Sequence, residues 1–166
     1  MKSFILLFLF SLPLVAQTGW KAEGADIIWE GVFTTDKANI VSVLDKSPNL
    51  KVGSFIDNMY KGVGNEVQNT CNGGTALMKN NLKFEFIILV DPAGYVVKVR
   101  NIKIIEKYGP MQAKTIANRC EKYFMAGNKI STQPNATENM ACMDRFFTGM
   151  FSVNPQPAQG TVITSN

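Results

Sequence analysis

The sequence predicts an α+β domain: an antiparallel sheet of three to five strands with two or three helices packed on one face. Three observations carry that expectation. Residues 27–33, and again 82–90 and 95–99, show a strand pattern with one mainly apolar face. Elsewhere apolar residues recur at three- and four-residue steps, as on amphipathic helices. Between the two halves of the longer alternating run lies Asp91-Pro92-Ala93-Gly94, a turn signal.

In chain order, Lys2 precedes an unbroken apolar run from Phe4 to Phe10, which continues through Pro13 to Ala16. A charged start, a short apolar middle and a small residue near the cut make 1–16 a cleaved secretory signal. The run is shorter than the ~20 apolar residues a membrane span needs. No cysteine sits at the cut to carry a lipid anchor, so no stable membrane anchor is expected. Residues 17–166 then have the length of a single domain, with a tail from about 153 where Asn154-Pro155-Gln156-Pro157 breaks the pattern.

Within that domain, Ile27, Trp29, Gly31 and Phe33 alternate with Ile28, Glu30 and Val32, a strand pattern. The apolar stretch 39–44 suits a strand or a short helix. Ser54 and Asp57 resemble a capping pair. Phe55, Ile56, Met59, Tyr60, Val63 and Val67 follow at helical spacing and predict a first helix. Gly62 and Gly64 weaken it by about 1 kcal/mol each relative to alanine. Residues 69–76 read as a loop.

Leu82, Phe84, Phe86, Ile88 and Val90 then share one face opposite Lys83 and Glu85, and Tyr95, Val97 and Val99 resume the alternation. This predicts a hairpin over 82–90/95–103 at the centre of the sheet, with Gly94 in the left-handed position of a bulge. Gly109-Pro110 opens a second helix, with Ala113, Ile116, Ala117, Cys120 and Phe124 on one face and Gly127 as its stop. Asn135 and Glu138 form a capping pattern for a third helix, whose stripe is Met140, Met143, Phe147 and Met150, widened by Phe146 and Phe151.

Histidine is absent from the chain. That removes Ser-His and Cys-His nucleophiles and imidazole metal ligands. No D-x-D-x-D-G calcium loop is present either. No metal, no cofactor and no catalytic residue are therefore expected. The net charge of +4 falls by one when Lys2 leaves with the signal. The lysines are scattered (Lys46, Lys51, Lys61, Lys79, Lys83, Lys98, Lys103), which predicts a solvated surface rather than a nucleic-acid stripe. Weak attraction to anionic cell-surface polymer follows from the same balance.

Several residues offer chemistry of their own. Asp26, Glu30 and Glu85 fall on or near strands and supply the carboxylates for a glycosidic pair, though no spacing pairs them. Trp20 and Trp29 suit sugar stacking; the alternation puts Trp29 in the core and leaves Trp20 open. The face of Met140, Met143, Phe146, Phe147, Met150 and Phe151 is core if covered. If exposed, it is an adaptable docking surface. Asn135-Ala136-Thr137 matches the N-glycosylation pattern, and Asn135 also serves as a helix cap. Three cysteines, Cys71, Cys120 and Cys142, give one disulfide and one thiol after export, with all three pairings open from spacing alone.

The order helix, hairpin, helix over 54–126 resembles the carboxy-terminal domains of TonB and TolA and their periplasmic relatives. The matching stretch is Phe84-Glu85-Phe86-Ile87-Ile88-Leu89-Val90-Asp91-Pro92-Ala93-Gly94-Tyr95-Val96-Val97-Lys98-Val99. In that family a strand ending in a D-P-x-G-like turn runs into a second strand, and a helix packs across the sheet. Some members join the first helix or strand to the second helix by a disulfide, which implies a Cys71–Cys120 bond here. Closing that loop of ~50 residues is worth roughly 3–4 kcal/mol by chain entropy. The family's apolar-Pro ending, proline-rich spacer and membrane anchor are missing, and 17–50 and 128–166 have no counterpart. The resemblance therefore implies interaction in the periplasm rather than energy transduction.

The expectation is a non-catalytic protein-binding module, periplasmic or secreted, whose partner is another envelope or secreted protein and not a nucleic acid. The alternative is an inhibitor or immunity protein against a cell-wall hydrolase, with 69–81 or 128–135 as a plug. A carboxylate-based hydrolase is the third reading. An unpaired strand edge favours the first, a free loop the second, and a deep pocket with convergent acids the third.

Overall fold

The computed structural model describes residues 18–34, 40–45 and 47–153. The expected signal over 1–16 and the tail beyond 153 lie outside them. Strand β1 (Thr18–Glu23) turns at Gly24 into β2 (Asp26–Thr34). A short helix α1 (Ile40–Leu44) leads to β3 (Leu50–Ile56) and β4 (Met59–Val67). A single 3₁₀ turn, Ala76–Lys79, precedes the long hairpin of β5 (Asn81–Asp91) and β6 (Gly94–Tyr108). Strand β7 (Lys114–Arg119), a one-turn helix α2 (Glu121–Phe124) and the small pair β8 (Met125–Ala126) and β9 (Lys129–Ile130) follow. Helix α3 (Pro134–Phe151) closes the described chain.

The result is dominated by sheet, which corrects the expected α+β domain of three to five strands and two or three helices. Seven antiparallel strands run in the order β1-β2-β6-β5-β4-β3, with β7 added to β6, and β8 and β9 form a separate pair. α3 is the one long helix among the described residues. It lies across the inner face of the sheet, where Ile27, Trp29, Leu82, Phe84, Phe86, Ile88, Val97, Val99 and Ile104 are almost wholly buried. The 82–90/95–103 hairpin is present and central. Its turn is a plain two-residue connection with Asp91 opposite Gly94 and no bulge. The Asp91 carboxylate accepts from the Ala93 N–H at 2.7 Å and holds the turn, as aspartate does at this position.

Two expected helices are strands. Residues 54–67 form most of the β3–β4 hairpin, turning at Asp57, whose φ is +50°. Two of the inward positions of β4 are Gly62 and Gly64, and opposite them on β5 stand Phe86 and Phe84. A Cβ on Gly64 would lie 2.6 Å from Phe84 Cζ, closer than packed atoms come. The phenyl rings of β5 thus fill the inner face of β4. The period-two alternation is real there, but its apolar half lies on the neighbouring strand.

Residues 110–126 divide into a 3₁₀ turn, β7, α2 and β8. β6 is fifteen residues long and outruns β2. Its first half pairs with β2, and 103–108 pair with β7 on the same side. Between the halves an extra residue bulges from β6, and Asn101 takes φ +51° there. The Asn101 amide donates to Glu85 Oε1 at 2.9 Å. The backbone groups of a strand end need partners more than six residues need helical periodicity.

Candidate functional site

The Met/Phe face of α3 is not a docking surface. Met143, Phe147 and Phe151 are fully buried, Met140 and Phe146 nearly so, and Met150 is half-buried. Phe147 meets Trp29 and Phe84 with ring centroids 5.3 and 5.2 Å apart, and Phe151 meets Phe86 at 5.4 Å. A seven-stranded sheet has one apolar face to cover, and this stripe covers it. The helix begins at Pro134 with Gln133 as N-cap, so the expected Asn135 cap is also corrected.

The disulfide joins Cys71 to Cys142, with Cα atoms 5.5 Å apart, rather than Cys71 to Cys120. Cys142 lies on α3 above the loop that follows β4. Cys120, between β7 and α2, faces the core and remains a buried thiol. Burial, with the Glu121 carboxylate beside it, pushes that thiol well above its ordinary range, so it is a poor nucleophile. The loop carrying Cys71 is clamped at further points. Asn139 Oδ1 accepts from the Thr75 N–H at 2.8 Å, and Arg145 Nη2 donates to Asn72 O at 3.0 Å.

The three candidate carboxylates are apportioned to separate cations. Glu30 accepts from Lys21 at 2.6 Å and from Lys98 at 3.1 Å. The Lys21 hydrogen bond, and then Lys98, holds its carboxyl below the ordinary range, the opposite of what a general acid needs. Glu85 pairs with Arg100 at 3.4 Å. Asp26 pairs with Arg119, which also reaches Glu121, and Glu121 accepts from the Ile27 N–H at 3.1 Å. That chain of contacts stitches the end of β7 to the start of β2. The two tryptophans do not form an exposed platform. Trp29 is buried and donates to Asp144 at 2.7 Å, while Trp20 is half-buried and donates to Met140 O at 3.0 Å.

What stays open lies elsewhere. Among the described residues the large exposed apolar side chains fall into two groups. Ile56, Val63 and Leu89 stand on the outer face of the sheet, away from α3. Tyr108, Met111 and Ile116 gather around β7.

β7 is a free edge. Beyond β2 lies β1, but beyond β7 lies no described strand. Its pairing with β6 is continuous from Lys103 opposite Arg119 to Tyr108 opposite Lys114, without a bulge. The Cys120 N–H donates to Ile102 O at 2.9 Å. Antiparallel alternation then turns the backbone groups of Lys114, Ile116 and Asn118 toward β6 and those of Thr115 and Ala117 outward. The outer edge of β3, by contrast, is broken by a bulge between Val52 and Ser54. β1 carries Lys21 and Glu23 and lies against α3 and β9. Bulges, charges and covering elements are how proteins blunt edges; β7 carries Lys114 and Arg119 at its two ends but has no bulge and no described strand beyond it. It is held rigidly from behind: Glu106 Oε2 accepts from Tyr108, Asn118 and Tyr123 at 2.6, 2.6 and 2.5 Å. These donors, Tyr108 first and then Tyr123, hold the Glu106 carboxyl below its usual range. No single residue in this arrangement was a site candidate in the sequence. The exposed Ile116 and Ala117 were its only signal, and they were assigned to a buried helix face.

No protein-family model matches the chain, and no curated protein matches it. Two solved structures are similar. One is a TBP-like protein from Parabacteroides distasonis, 12% identical, with 76% of this chain and 87% of that one covered and a TM-score of 0.45. The other is a DUF4468 family protein from Bacteroides ovatus, 11% identical, with 84% and 94% covered and a TM-score of 0.45. Among the described residues no helix is long and apolar enough to cross a membrane. The disulfide fits an oxidising compartment outside the cytosol.

Proposed function

We propose that this chain is an exported, non-catalytic protein-binding module of the periplasm or cell envelope, which takes an extended segment of its partner along the free edge of β7. The observation that carries the reading is an unbulged six-residue strand, exposed along nearly its whole length and paired on one side only. Strand addition uses such an edge: backbone bonds supply affinity and alternate side chains supply selection. Ile116, Met111 and Tyr108 offer apolar contact beside it. Lys107 and Lys114 are exposed there without a carboxylate partner among the described residues. Lys114 and Ile116 share one face of β7, so the fitting partner segment carries an acidic and an apolar residue two positions apart.

The test is a pull-down from periplasmic and envelope extract with oxidised mature protein, run beside Ala117→Pro. Proline at 117 deletes an outward N–H and spares the bonds to β6, a placement edge strands tolerate. The reading expects one partner in near-stoichiometric amount with the parent protein and its loss with the variant. A blank with the parent, or equal recovery by both proteins, overturns it.

A further inference from the structure

The outer face of the sheet carries a second feature, independent of β7. A shallow cavity of about 420 Å³ opens across β3, β4, β5 and β6. Val63 and Ile87 form part of an apolar floor, and three cations, Lys51, Lys61 and Arg100, and one carboxylate, Glu85, stand around it. The hollow exists because β3 bulges at Gly53, where the register slips between Val52 and Ser54. A Cβ on Gly53 would meet nothing nearer than Lys61 O at 3.8 Å, so the space is open.

Charge decides what fits. Arg100 pairs with Glu85, but Lys51 and Lys61 have no ion-pair partner among the described residues. Lys61 sits opposite Ile87 and Lys51 opposite Val63. Each ammonium thus stands beside an apolar residue, along which its stem can lie. Further along the same face Lys83 and Lys103 are directly opposite each other, a like-charge pair that costs stability. No carboxylate among the described residues pairs with either. The positive potential favours an anion and the floor favours an apolar body. An anionic bilayer is a poorer match, because the turns at the near end of this face carry the exposed acids Asp57 and Asp91. We infer that this hollow binds a small amphipathic anion: one carboxylate, sulfonate or phosphate head on a flat or aliphatic apolar body.

The probe is 8-anilinonaphthalene-1-sulfonate, titrated by fluorescence into the oxidised mature protein, with circular dichroism to verify that each variant is folded. Saturable binding at one site per chain is expected, weakening as salt rises. The double variant Lys51→Glu/Lys61→Glu should weaken it about tenfold or more, and Gly53→Val should weaken it by filling the hollow. Lys129→Glu, on β9, should leave it unchanged, and so should Ala117→Pro, which separates this site from the β7 edge. Absence of saturable binding overturns the inference. Equal binding by the parent, the double lysine variant and Gly53→Val does so as well, since it places the probe elsewhere.

Discussion

Tyr95 shows how one side chain ties sheet to helix. It is the second residue of β6, stacks on Phe33 at 5.0 Å, and its hydroxyl donates to the Phe151 carbonyl at 2.6 Å. That carbonyl lies in the last turn of α3, where the helix itself supplies no donor. Tyr95→Phe leaves it unsatisfied and should cost about 1–2 kcal/mol in urea unfolding. Burial raises the Tyr95 phenol to about 12. Because the folded state favours the neutral form, the contribution is complete below the unfolded value of about 10. It is lost as pH rises from there through 12. The variant should therefore lose less stability than the parent between those pH values. At this scale the sequence was partly legible. Alternation placed Trp29 and Phe84 in the core correctly. It said nothing of which cysteines meet, because pairing depends on where whole elements land.

Elements that present their own apolar side chains were legible, and elements completed by a neighbour were not. The β5–β6 hairpin and α3 each show their period in their own residues. β4 does not, since Gly62 and Gly64 yield their inner positions to Phe86 and Phe84. β7 does not either, because it is an exposed edge whose pairing is dictated by the overlong β6. The site was missed for the same reason: an edge is a property of the sheet and not of six residues. Gly64→Ala discriminates between the two readings of 54–67 by sign. In a helix it would stabilise by about 1 kcal/mol. Between β4 and β5 the new methyl meets the Phe84 ring and should destabilise by about 1–3 kcal/mol through overpacking, as measured by chemical denaturation.

Across the whole molecule, the cross-link and the topology reinforce each other. The Cys71–Cys142 bond spans 71 residues, a loop that contains β5, β6, β7 and α2. It fastens the middle of α3 to the segment leaving β4, so the central hairpin lies inside the closed loop. By chain entropy a loop of this length contributes about 4 kcal/mol, a large part of the 5–15 kcal/mol typical of a domain. Cys142→Ser and Cys71→Ser should each lower stability by that order, and added reductant should not lower either variant further. Cys120→Ala should instead cost only the small loss of a buried sulfur and retain its sensitivity to reductant. Alkylation checks the pairing directly. Native oxidised protein should take up no iodoacetamide, because its one thiol is buried with a raised pKa. Unfolding without reductant should then admit a single adduct on Cys120. An adduct on Cys142 instead would restore the Cys71–Cys120 bond and require α3 to sit differently on the sheet.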